Sequence, residues 1–155
     1  MSYSIQGPVL GKGAACEQIL RALPDWFGIE EAIVQYGQAI DRLLTFLVEQ
    51  AGEVLGFISL KQHYAGSWEV YVMGVSPGMH RQGLGKALMQ AAETYVQSQG
   101  GGYLQVKTLG YSHPDEAYTR TRAFYQAMGF CPLEEIPQVW GDANPCLILV
   151  KKITG

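Results

Sequence analysis

One stretch in the middle of the chain constrains the fold more than any other: Val75-Ser76-Pro77-Gly78-Met79-His80-Arg81-Gln82-Gly83-Leu84-Gly85-Lys86-Ala87-Leu88. Before it, Val70 to Val75 is a short apolar run rich in β-formers and reads as a strand. After it, Leu84, Leu88, Ala91 and Tyr95 fall at i, i+4, i+7 and i+11, the spacing of one helical face. A strand, a glycine turn and a helix N-terminus make an anion site. Unpaired backbone N–H groups converge there, and the helix dipole favours negative charge. Gly83 and Gly85 lack a Cβ, so a phosphate can approach the backbone. His80, Arg81 and Lys86 add positive charge to a chain whose formal net charge is −3. Two familiar phosphate motifs fail. A Walker A loop needs Ser or Thr after Gly-Lys, but Ala87 stands there; a dinucleotide fingerprint needs a third glycine where Leu88 stands.

His80-Arg81-Gln82-Gly83-Leu84-Gly85 resembles the [QR]-x-x-G-x-[GA] turn of the GCN5-related N-acetyltransferases, with His80 in place of the family's Gln or Arg. Further on, Phe124-Tyr125-Gln126-Ala127-Met128-Gly129-Phe130 resembles the family's F-Y-x-x-x-G-F segment. The two motifs stand in the family's order, and the resemblance covers roughly residues 43–136. The first 40 residues match only in having two helices, and that region normally sets the acceptor.

The rest of the chain reads as one domain, 1–155, with elements in a consistent order. Residues 3–10 read as a first strand that ends near Gly7-Pro8, and Gly7 to Gly13, whose spacing does not fit a P-loop, as a loop. Cys16, Ile19, Leu20 and Leu23 mark a helix stopped by Pro24, and Ile29, Ile33, Tyr36 and Ile40 mark a second. Leu43 to Glu49 and Val54 to Leu60 form a hairpin, followed by a polar loop from Lys61 to Ser67 that holds a solvated His63. Trp68 to Val75 is the next strand; after the helix that follows the glycine turn, Tyr103 to Leu109 is a strand parallel to it. A helix with Ala117, Thr121, Phe124 and Met128 on its apolar side ends at Gly129, and Phe130 to Ile136 and Cys146 to Lys152 are the last strands. The expected fold is α/β: a single mixed, mostly antiparallel sheet of about seven strands, with helices on both faces. The resemblance adds that its central parallel pair splays apart.

Composition narrows the function classes. A net charge of −3 argues against a nucleic-acid binder. No apolar run reaches the ~18 residues of a membrane span, and no secretory leader is visible. Cys16, Cys131 and Cys146 are far apart, as suits reduced thiols in a cytoplasmic protein, and Cys16 lies on a core stripe rather than in a nucleophile's setting.

What the resemblance implies is an N-acetyltransferase that passes the acetyl group of acetyl-coenzyme A directly to a primary amine of a small molecule or peptide, without a metal, as a monomer or homodimer. It implies cofactor contacts from Met73 and Val75 to the pantetheine arm and from His80, Arg81, Gln82, Gly83, Leu84, Gly85, Lys86 and Ala87 to the pyrophosphate. Tyr125, near the sulfur, is the implied general acid, and Glu69, six residues before Val75, the implied base. Tyr71 and Met73 share the face of Glu69 by strand alternation, and Gly74 suits a bulge. Trp26 and Phe27 are either core or, with Glu69 and Tyr71, the acceptor wall. Asp115, Glu116 and Glu69 would suit a cationic amine. Arg120 and Arg122 are either solvated, or one of them meets the 3′-phosphate of coenzyme A. The alternative reading is a non-catalytic acyl-coenzyme A sensor.

Overall fold

The computed structural model describes residues 3–153. Seven strands form one mixed sheet: β1 (Ile5–Val9), β2 (Leu44–Gln50), β3 (Glu53–Tyr64), β4 (Ser67–Val75), β5 (Tyr103–Leu109), β6 (Cys131–Ile136) and β7 (Cys146–Lys152). Their order is β1-β2-β3-β4-β5-β7-β6. Helices α1 (Gly13–Arg21) and α2 (Glu30–Ile40) precede β2, α3 (Leu84–Ser98) joins β4 to β5, α4 (Glu116–Ala127) joins β5 to β6, and α5 (Pro137–Trp140) joins β6 to β7. β4 and β5, linked through a helix, are the one parallel pair. Among the described residues no helix is long and apolar enough to cross a membrane. By its contacts the chain divides into two compact units, one holding the residues up to Lys61 with Val70–Tyr95, the other Gln62–Glu69 with the residues from Val96 onward.

In the first unit, register decides which side chains meet which helices. Leu47 pairs with Phe57 and Phe46 with Ile58, so the two pairs fall on opposite faces of β2 and β3. Leu47 and Phe57 pack with Cys16, Ile19, Leu20 and Leu23 of the first helical segment and Ile33 and Ile40 of α2. On the other face Phe46 lies 5.9 Å, ring to ring, from Tyr95 of α3. The stripe expected for α1 is therefore core; of that expected for α2, Ile33 and Ile40 are core and Tyr36 packs beside them, whereas Ile29 precedes the helix and is 68 % exposed. The two helices touch through glycine: a side chain at Gly13 would strike the Gly37 carbonyl and the Asp41 carboxylate, and one at Gly37 would strike Glu17. Asp41 also accepts the Gly13 N–H at 2.7 Å, placing a carboxylate at the α1 N-terminus, which has no side-chain cap of its own.

In the second unit β7 lies between β5 and β6, with Val106 opposite Leu149 and Pro132 opposite Leu149 on the other side. Leu104, Val106, Leu147 and Leu149 are buried there. Three sequence expectations change. β3 does not stop at Leu60 but continues to Tyr64 and turns at Ala65-Gly66. Lys61 to Tyr64 are exposed, so they carry no alternation from which a strand could be read. α4 buries Ala117, Arg122 and Tyr125 rather than the stripe through Thr121, Phe124 and Met128. α5 was not expected at all; four residues are too few for a periodic signal.

Candidate active site

The turn before α3 has the backbone of an anion site. Arg81 (φ 65°) and Gly83 (φ 80°) both lie in the left-handed region, whereas Gln82 between them does not. Such alternation of hand turns successive N–H groups toward one concave side. Helical bonding then begins with the Ala87 N–H, which donates to the Gly83 carbonyl at 3.0 Å. The N–H groups of Leu84, Gly85 and Lys86 precede that bond and have no acceptor in the helix pattern. Nothing lies within 4 Å of the position a Gly83 side chain would occupy, and Arg81, Gln82, Gly83 and Lys86 are exposed. An exposed nest of donors beside two cationic side chains suits a phosphate group. His80 has a different task from the one its charge suggested. Its Nε2 lies 2.8 Å from the Val75 carbonyl, which can only accept, so Nε2 carries the hydrogen. The ring also stands edge-on to Trp26 at 6.1 Å. His80 thus braces the turn against the end of β4.

β4 departs from strict alternation. Tyr71 packs edge-on to Tyr36 and lies under Lys61 Nζ, on the face that Lys61 shares with Phe57. Val72 belongs to the α1–α2 core on that same face, and a side chain at Gly74 would meet Ile19, Leu23 and Phe57 there. Tyr71 and Val72, adjacent in sequence, therefore point the same way, which is the mark of a β-bulge. Past the bulge Met73 and Val75 fall on the opposite face; Val75 and Leu88 both lie beside Gly56. The expectation that Met73 shares a face with Tyr71 is corrected by this one extra residue.

Three aromatic residues of the first unit form a row. Phe27 stands edge-on to Tyr36 at 5.7 Å, and Tyr36 to Tyr71 at 5.7 Å. Trp26 and Phe27 are half-buried against the α1–α2 core, so they are both core and surface.

In the second unit Glu69 is buried, its side chain 6 % exposed. One carboxylate oxygen lies 2.6 Å from His63 Nε2, and the other accepts from Lys107 Nζ at 3.0 Å. Neither partner was legible in sequence: His63 lies in the stretch read as loop, and Lys107 in an otherwise ordinary strand. Cys146, fully buried, has its thiol pushed up, first by burial, with Lys107 opposing and Glu69 adding.

Tyr125 owes its place to the end of α4. The Phe130 N–H donates to the Tyr125 carbonyl and the Gly129 N–H to that of Gln126, both at 3.0 Å, with Gly129 at φ 97°. This is a Schellman stop, and its usual apolar contact is the Tyr125–Phe130 ring pair, 5.9 Å apart. The spacing F-Y-x-x-x-G-F is therefore the spacing of a helix C-cap. Phe124 flanks Tyr125 at 5.5 Å, and Tyr125 as a whole is 6 % exposed. Arg122 is not solvated. It is buried, donates to the carbonyls of Leu109 (2.7 Å) and Gly110 (3.2 Å), and stacks on Tyr111 at 4.7 Å, so it holds the loop after β5. Asp115 is engaged as the α4 N-cap, accepting the Tyr118 N–H.

A model of the acetyltransferase (GNAT) family matches residues 14–130. The chain belongs to the acetyltransferase (GNAT) family. The mycothiol acetyltransferase of Salinispora tropica is 41 % identical to it over 87 residues, covering 54 % of this chain and 27 % of that protein. That of Beutenbergia cavernae is 32 % identical over 108 residues, covering 68 % and 34 %. The chain thus spans about a third or less of the length of these relatives. A GNAT-family chain from Desulfovibrio desulfuricans superposes with a TM-score of 0.84 at 17 % identity, covering 99 % of this chain and 100 % of that one. An aminoglycoside 6′-N-acetyltransferase solved with coenzyme A gives 0.76 at 17 % identity and 98 % coverage of each. At such identities the likeness is one of fold, and the GNAT fold is what the seven-stranded mixed sheet with its single parallel pair represents.

Proposed function

We propose that the chain, acting as one domain over 1–155, transfers the acetyl group of acetyl-coenzyme A directly to a primary amine of a small molecule or peptide, both substrates being bound together. The observation that carries this reading is the alternating left-handed turn at Arg81 and Gly83, which opens a nest of backbone donors where the family motif stands. The pyrophosphate of the cofactor fits the N–H groups from Gln82 to Ala87, with Arg81 and Lys86 adding charge. A backbone site of this kind tolerates His80 at the first motif position, because that ring serves the loop. Met73 and Val75 flank the pantetheine arm. Acetyl-coenzyme A supplies a thioester carbonyl open to attack by an amine.

The chain's own groups handle the protons. Glu69 accepts the proton of the incoming amine, and Tyr125 carries the hydroxyl proton the departing thiolate needs. A phenol, with an ordinary pKa of about 10, arrives protonated at neutral pH. Trp26, Phe27, Tyr71 and Glu69 are the acceptor contacts. The relatives named for mycothiol, a small molecule, support the small-molecule half of the acceptor class. A cytoplasmic setting suits the thiols and the cofactor.

The test is a panel of primary amines incubated with the chain and acetyl-coenzyme A, with coenzyme A release as readout. Turnover on at least one amine, with kinetics requiring both substrates together, is expected. Tight coenzyme A binding without turnover on a broad panel would replace this reading with the sensor.

A further inference from the structure

Glu69 has partners that a solvated base would lack. His63 meets one oxygen at 2.6 Å and Lys107 the other at 3.0 Å, while the carboxylate is almost wholly enclosed. The roles of the two partners differ. Lys107 is a donor with no lone pair to offer, so its influence on Glu69 is constant. His63 can change. A carboxylate only accepts, so the Nε2 facing it carries a hydrogen, and Nδ1 is the atom left to gain or lose a proton. The His63 side chain is 28 % exposed, which gives that proton a path to and from solvent. Imidazole is also the side chain that changes charge near neutrality. The groups facing this cluster are Glu69 on β4, Lys107 on β5 and Cys146 on β7, whose buried thiol stays neutral.

Resting on the reading of Glu69 as base, we propose that His63 is its positioning residue and its pH gate. Neutral, His63 donates to Glu69 and holds the carboxylate in place. Protonated at Nδ1 by solvent, it puts a second cation on a carboxylate already bound by Lys107. An opposite charge favours the ionised form of a carboxylate and makes it a poorer proton acceptor. The rate therefore falls as pH drops through the His63 titration, and this fall is distinct from the titration of the amine.

Two measurements on the full chain test it. In the first, the His63 ring signal is followed by NMR against pH in the wild type, Glu69→Gln and Lys107→Gln. Removing the carboxylate should move the His63 midpoint down, and removing the lysine should move it up. A midpoint unmoved in both variants overturns the coupling, with no acceptor needed. In the second, kcat/KM is profiled with acetyl-coenzyme A and two panel amines of different basicity. His63→Gln keeps a donor for Glu69 but cannot become charged, so it should retain most of the plateau rate while its acidic limb moves to lower pH by the same amount with both amines. His63→Leu, with no donor, should lose about tenfold in plateau kcat with little change in KM. An acidic limb unmoved in His63→Gln overturns the gate. The base reading fails separately, if Glu69→Gln itself keeps the wild-type profile.

Discussion

Replacing Gly129 by alanine is the substitution whose consequence can be worked furthest. Gly129 has φ 97°, outside the range an L side chain adopts without strain. Holding a non-glycine residue there costs about 1–3 kcal/mol. The new Cβ would also sit 3.2 Å from Lys151 Cε and 3.4 Å from its Nζ, closer than ordinary packing. Lys151 cannot simply swing away, because its ammonium donates to the Met128 carbonyl at 2.7 Å, and losing that bond costs about 1 kcal/mol more. The expected loss is about 2–4 kcal/mol. For a chain of this size each kcal/mol is worth about 2–4 °C, so the midpoint should fall by about 5–15 °C. Urea unfolding should show a lower midpoint at unchanged slope, since a helix stop does not alter how much surface unfolding exposes. Gly129→Asn, which tolerates the left-handed region better, should fall between glycine and alanine. Lys151→Met, which removes the hydrogen bond to the Met128 carbonyl, should cost about 1 kcal/mol. An alanine variant within about 0.5 kcal/mol of the wild type would refute the reasoning, because α4 would then be able to end without the left-handed residue.

Tyr125→Phe should keep the fold and lower kcat by about 100-fold when chemistry limits the rate; a wild-type kcat would remove the phenol from the acid role. Arg81→Gly relieves a left-handed non-glycine residue, so it should gain about 1 kcal/mol in unfolding assays while binding coenzyme A less tightly by calorimetry. Cys16 is fully buried, and desolvation first, then Asp41, pushes its thiol up to about 12. A thiol reagent at neutral pH should therefore modify only the exposed Cys131 in the folded chain, and intact mass should show no acetyl group on Cys16. The same shift has a sign in stability. The unfolded thiol ionises near 9.0 and the folded one only near 12, so stability is intact below that window and is lost progressively as pH rises through it, by an amount on the order of 4 kcal/mol. A flat urea midpoint from pH 9 to pH 11 would contradict this.

How much was legible in sequence depended on whether burial left a pattern. The helix before Pro24, α2 and β5 were read nearly to their ends because each shows apolar residues at one fixed period. The turn at Arg81 to Gly83 was legible for another reason: glycine marks a backbone demand directly. What escaped were residues whose meaning depends on a partner elsewhere in the chain. His63 and Lys107 are ordinary polar residues until β3 extends past the core and Glu69 comes between them. Arg122 looks solvated until the strand-end carbonyls of Leu109 and Gly110 are seen to absorb its hydrogens. Met73 was placed on the wrong face because a bulge adds a residue that no periodic count contains. The F-Y-x-x-x-G-F segment around Tyr125 is legible by resemblance, and the Schellman stop supplies the physical reason for its spacing: glycine at C′ and an apolar pair across it.

The crossing of α1 and α2 has a consequence for how this chain can be diversified. Where Gly13 and Gly37 meet, the backbones leave no room for even a methyl group, and the Asp41 carboxylate and Glu17 crowd the same spot. The two helices are in effect welded, so neither can shift to accommodate a new acceptor. Any library aimed at acceptor preference should leave Gly13, Gly37 and Asp41 untouched. Its variation belongs on the half-buried aromatics carried beyond the weld, Trp26, Phe27 and Tyr36, where a changed side chain reshapes the surface without unseating the helix pair that presents it.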